Sequence, residues 1–129
     1  MGIEKEILDD SHVVAIVGLS SNAEKPSNIV GKYLKSKSYK IIPVNPKENS
    51  ILGEISYPNL LSIPEKVDIV DIFRRSEDVL PIVEEAIKIG AKTIWMQEGV
   101  VNHDAAEKAH NAGLKVVMDK CIRKEHMKL

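Results

Sequence analysis

The sequence predicts a three-layer α/β fold around a mainly parallel sheet, and three observations carry that expectation. Short apolar runs recur at Val13–Val17, Tyr39–Val44, Val67–Phe73, Thr93–Met96 and Lys115–Met118. Several of them lack polar alternation, which suits strands buried on both faces. Amphipathic stretches of helical spacing separate the runs, and the first run stops abruptly at Gly18-Leu19-Ser20-Ser21-Asn22. Strands alternating with helices at this spacing give right-handed βαβ units and hence a Rossmann-type sheet. With 129 residues the chain is read as a single domain over residues 1–129. In such sheets a ligand sits beyond the carboxyl ends of the strands, where strand order reverses.

Residues 3–10 place Ile3, Ile7 and Leu8 at helical spacing among charges, as in a short amphipathic helix. After the Val13–Val17 strand, Gly18 permits a tight turn and leaves room for a phosphate to approach the backbone. Ser27 can cap the next helix, whose buried face is expected to be Ile29, Val30, Tyr33 and Leu34. Gly31 inside that helix costs roughly 1 kcal/mol against alanine, so close packing on the first strand is expected in return. The second strand carries Pro43, which belongs near its end because it donates no ladder hydrogen bond.

Residues 51–63 are looser, with a short strand at Glu54-Ile55-Ser56. The strand over Val67–Phe73 ends in Arg74-Arg75, and the helix after Ser76 is expected to begin at Pro81 and stop at Gly90. Its apolar stripe is Ile82, Val83, Ala86 and Ile87. Asn102 caps a helix bearing Ala105, Ala106, Ala109 and Ala112, ended by Gly113. Beyond Met118 the sequence reads as Asp119-Lys120-Cys121 followed by a charged tail.

Composition narrows the function. A formal net charge of −1 argues against a nucleic-acid-coating surface. One cysteine excludes an internal disulfide framework and a cysteine zinc site. No apolar run is long enough to span a bilayer and the amino-terminal residues lack a signal core, so a cytoplasmic location with no membrane partner is expected. The four histidines show no metal spacing, and no G-x-S-x-G elbow surrounds Ser20.

The strand ends gather Gly18-Leu19-Ser20-Ser21, Asn45-Pro46-Lys47, Phe73-Arg74-Arg75, Gln97-Glu98-Gly99 and Asp119-Lys120-Cys121. Lys25, Lys47, Arg74, Arg75 and Lys120 would all fall on this rim, which suggests a ligand richer in phosphate than NAD. NAD is disfavoured further. The loop lacks G-x-G-x-x-G, and Asn45-Pro46 replaces the acidic residue that binds a ribose. NADP stays open, since Lys47 could meet its additional phosphate, so an NADP-binding oxidoreductase component is the alternative function.

The chain resembles the small single-domain CoA-binding proteins, and through them the CoA-binding domain of succinyl-CoA synthetase and ADP-forming acyl-CoA synthetases. The resemblance runs from about Val13 to Cys121. It rests on Val17-Gly18-Leu19-Ser20, Lys25-Pro26-Ser27, Pro43-Val44-Asn45-Pro46, Val67 to Arg74, Trp95-Met96-Gln97-Glu98-Gly99 and Met118-Asp119-Lys120-Cys121. It implies that coenzyme A or an acyl-CoA is the ligand. Its phosphates would lie at the glycine-serine loop with Lys25, Pro26 and Ser27. Asn45, Pro46 and Lys47 would lie at the nucleotide end, and Phe73, Arg74, Gln97, Glu98 and Gly99 would flank adenine and the pantetheine arm. Asn28 departs from the pattern, in which an aromatic residue is commoner.

The synthetases' phosphohistidine domain and ATP-grasp subunit have no counterpart in this sequence. A binding module without turnover, with a protein partner or a second copy as possible company, is therefore the expectation. Cys121 is the one chemical group that invites more. Beside Lys120, which would favour its thiolate, it could form a reversible mixed disulfide with CoA.

Overall fold

The computed structural model describes residues 2–129. Five parallel strands form the main sheet: β1 (Val13–Val17), β2 (Lys40–Val44), β5 (Ile69–Ile72), β6 (Thr93–Met96) and β7 (Lys115–Val117). A small hairpin of β3 (Ser50–Ile51) and β4 (Glu54–Ile55) stands apart from it. The helices are α1 (Ile3–Asp10), α2 (Pro26–Ser36), α3 (Val79–Lys88), α4 (His103–Asn111) and α5 (Ile122–Met127). No helix among the described residues is long and apolar enough to cross a membrane.

The sheet order is β2-β1-β5-β6-β7, so the chain winds first to one side of β1 and then to the other. This is the Rossmann-like α/β arrangement, and its order reverses between β1 and β5. The sheet has two dry faces. Val14, Ile16, Ile69, Trp95 and Val117 pack under α1, α2 and α5, whereas Ala15, Val17, Val70, Ile72, Ile94 and Met96 pack under α3 and α4. That double burial is why β1 reads as unbroken apolar sequence.

Several local expectations are met by specific contacts. Gly31 is buried, and a Cβ there would stand 3.1 Å from Leu19 Cδ1, 3.2 Å from Leu52 Cδ1 and 3.5 Å from Ile16 Cδ1. The glycine therefore lets α2 lie close on β1, as its helix-breaking character suggested. Pro43 occupies the penultimate position of an edge strand. Asn102 Oδ1 accepts the Ala105 N–H at 2.9 Å and starts α4.

Others are corrected. The residue capping α2 is Lys25, with Pro26 in the first helical position; Ser27 lies inside the first turn and uses its hydroxyl elsewhere. Ile29 is 44% exposed, and the buried flank of α2 is Ser27, Asn28, Val30, Gly31 and Leu34. Helix α3 starts at Val79, with Pro81 tolerated in its first turn, because Val79 is needed in the core. The charged tail is the helix α5, held by buried Ile122 and by the Tyr33 hydroxyl 2.7 Å from His126 Nδ1. Partial burial lowers the His126 pKa, with Lys37 acting in the same direction and Asp9 against it.

Candidate functional site

A cleft of about 640 Å³ opens at the carboxyl ends of the strands. From the sequence-derived candidates it collects Pro26, Phe73, Arg74, Arg75, Gln97, Glu98 and Cys121. It also collects Val30, Asp78 and Val100, which sequence reasoning left out. Val30 had been placed in the core of α2 and serves both purposes, since the cleft floor is the edge of that core. Asp78 was traceable as an acidic residue three positions after Arg75.

The loop after β1 forms a braced wall beside this cleft. The Ser20 N–H donates to Ser27 Oγ at 2.9 Å, and Asn28 Nδ2 donates to the Ser20 carbonyl at 2.8 Å. Ser20 Oγ in turn accepts the Asn22 N–H at 3.0 Å. From β2, Asn45 Nδ2 donates to the Leu19 carbonyl at 3.0 Å, while its Oδ1 accepts the Lys47 N–H at 2.9 Å. Leu19 is fully buried and offers a ligand no side-chain surface. Ser21, Lys25, Pro46 and Lys47 are exposed along the wall. At the departure, the Asn28 side chain is buried; its Nδ2 ties α2 to the loop, while its Oδ1 has no hydrogen-bond partner among the described residues.

Gly18 makes the tight turn that the sequence suggested, and it has a further reason to be glycine. Its φ is +91°, and a Cβ would lie 2.3 Å from the backbone oxygen of Phe73. The obstacle is the neighbouring strand end, where the Phe73 N–H also donates to the Val17 carbonyl at 2.9 Å. Gly18 thus closes the point where strand order reverses.

The five cations do not act together. Among the described residues Lys25, Lys47 and Arg74 have no ion-pair partner. Arg75 is engaged by Asp78 at 3.1 Å and Glu77 at 3.7 Å. Lys120 turns to α1 and pairs with Glu4 at 2.8 Å, so its charge is not available beside Cys121 as the sequence suggested. The Glu4 hydrogen bond raises the pKa of Lys120, and the same contact lowers that of Glu4.

The opposite end of the cleft is built from β6 and the segment after β7. Trp95 Nε1 donates to the Lys120 carbonyl at 2.9 Å, the Ile122 N–H donates to Gln97 Oε1 at 3.1 Å, and Lys124 pairs with Glu98 at 2.9 Å. Cys121, partly buried, lies between those two backbone anchors. The Gly99 N–H donates to Asp119 Oδ1 at 2.7 Å, so that amide is committed to the turn. Below the floor, on the Phe73 side of the sheet, Asp71 is fully buried with neither carboxyl oxygen hydrogen-bonded. Desolvation pushes its pKa well above the ordinary carboxylate value. No metal-binding cluster of His, Cys, Asp or Glu occurs among the described residues.

This geometry has close relatives. A family model described as a CoA binding domain matches residues 12–127. The uncharacterized protein YneT of Bacillus subtilis is 39% identical over 122 residues, covering 95% of this chain and 90% of its own. A solved structure of a hypothetical protein from Pyrococcus horikoshii is 42% identical with a TM-score of 0.95, covering 98% of this chain and 89% of that one. An ADP-forming acetate–CoA ligase of Archaeoglobus fulgidus is 32% identical over 120 residues, 85% of this chain; the match spans only 18% of the ligase.

Proposed function

This chain belongs to the CoA-binding domain family, and from that premise we propose that it holds coenzyme A or an acyl-CoA in the strand-end cleft, without turnover of its own. The observation that carries this reading is the mixed lining of the cleft. Arg74 has no ion-pair partner among the described residues, and Lys25 and Lys47 are exposed on the adjoining wall, while Phe73, Val30, Val100 and Cys121 add apolar surface and one thiol to a lining that also holds Asp78 and Glu98. Coenzyme A calls for both kinds of contact, since it combines phosphates with a thiol-tipped arm. Charge-assisted hydrogen bonds to phosphate contribute about 1.5–3 kcal/mol each, and pockets of this volume suit ligands of that size.

In this seating the arm runs toward β6 and β7, and Cys121 exchanges with CoA disulfide. The Cys121 thiolate attacks one sulfur of the disulfide, and a Cys121–S–S–CoA bond forms. CoA thiolate leaves and takes up the proton that Cys121 lost. There is no net redox change. Intact mass after treatment with CoA disulfide tests this. The expected result is a single CoA adduct on the native protein, removed by reductant and absent from Cys121→Ser. An adduct-free protein that still binds CoA would refute the exchange and leave a plain binding module.

A further inference from the structure

Both peptide groups flanking Cys121 are held by the adjacent strand end, one by Trp95 Nε1 and the other by Gln97 Oε1. Gln97 is only 4% exposed, yet it lines the cleft. Its carboxamide is planar, so committing Oε1 to the Ile122 N–H fixes where Nε2 points. Nε2 makes no hydrogen bond to the protein among the described residues, and it is not one of the buried polar atoms left without a partner, so it reaches the surface of the cleft. Its N–H donors are therefore open to an acceptor that enters the cleft, while its oxygen holds the cysteine segment.

We propose that Gln97 is a positioning and specificity-determining residue for thiol exchange at Cys121. Its oxygen keeps the Cys121 segment in place, and its Nε2–H donates to a carbonyl oxygen of the incoming disulfide. The proposal rests on the mixed-disulfide reading above and narrows it. The favoured partners are disulfides that carry an amide carbonyl near the sulfur, over plain alkyl disulfides. The exchange is balanced as before, with the incoming disulfide as the only oxidant: one S–S bond breaks, one forms, and the departing thiolate takes the proton.

Pantethine carries such carbonyls without a nucleotide, and hydroxyethyl disulfide carries none, so the pair isolates the amide contact. Exchange rates at Cys121 with both probes are compared in the full chain, in Gln97→Met and in Gln97→Glu, each first shown to be folded by its thermal transition. The preference for pantethine is expected to fall about five- to tenfold in Gln97→Met, the effect of one lost neutral hydrogen bond. Hydrogen exchange of the Ile122 amide is expected to quicken in Gln97→Met and to stay slow in Gln97→Glu, which keeps an acceptor oxygen. An unchanged preference in Gln97→Met, or an Ile122 amide indifferent to it, would overturn the proposal even if CoA disulfide forms its adduct. Conversely, a Gln97-dependent preference for pantethine in a protein that ignores CoA disulfide would sink the CoA reading alone.

Discussion

Replacing Gly18 with alanine is expected to destabilise the whole fold, not merely to block the cleft. The added methyl would lie 2.3 Å from the Phe73 carbonyl oxygen, a backbone atom that cannot rotate away. The backbone there has φ +91°, which an L side chain tolerates poorly. A left-handed conformation costs about 1–2 kcal/mol, and forcing a carbon into packed backbone adds about 1–3 kcal/mol. The sum, about 2–5 kcal/mol, is a large part of the stability of a domain this size. Urea or thermal unfolding checks it, with a fall in midpoint well beyond 5 °C expected. A variant with wild-type stability and lost CoA binding would instead show that Gly18 serves only the ligand.

The second large effect runs the other way. Asp71 sits fully buried in the central strand, in register with Ile16 on one side and Trp95 on the other, with neither oxygen paired. An unsatisfied buried polar group costs about 1–3 kcal/mol. Leucine has the same branching and no polar atom, so Asp71→Leu is expected to raise stability at neutral pH by a similar amount, roughly 4–12 °C in melting temperature. The pH dependence has a definite sign. Burial raises the folded-state pKa above the unfolded value of about 3.9. The Asp71 contribution to stability is therefore fully present below that unfolded value and lost as pH rises through the raised folded one. The advantage of Asp71→Leu over the native protein should accordingly widen from pH 4 toward neutrality. A leucine variant that is less stable at every pH would mean that the carboxyl is satisfied in solution.

The strands were legible because burial on both faces forces unbroken apolar runs, and Gly31 was legible because its helix-breaking cost required a packing reason. Features that depend on distant partners were not. Helix α5 has a charged, six-residue sequence with little amphipathic signal; it is held by Ile122 in the core and by His126 against Tyr33. The direction of Lys120 depends on Glu4 at the other end of the chain, and the meaning of Gly18 depends on the backbone of Phe73. Nothing in the sequence marks Asp71, because the burial that leaves both its carboxyl oxygens unpaired comes from elements distant in the chain. At the candidate site the segments were legible from strand-end position, whereas their division of labour needed coordinates. Gln97 holding the Ile122 N–H is the clearest case, because a glutamine in a turn gives no sign of which of its ends is engaged.

Isothermal titration of the full chain with CoA, dephospho-CoA, NAD and NADP tests the central claim most directly. The expected order places CoA first. Dephospho-CoA should be weaker by about tenfold or more, the effect of losing charge-assisted hydrogen bonds to one phosphate, and both nicotinamide dinucleotides should be weaker still. Tightest binding by NADP, or no binding of CoA to the folded chain, would contradict the assignment of this cleft to coenzyme A.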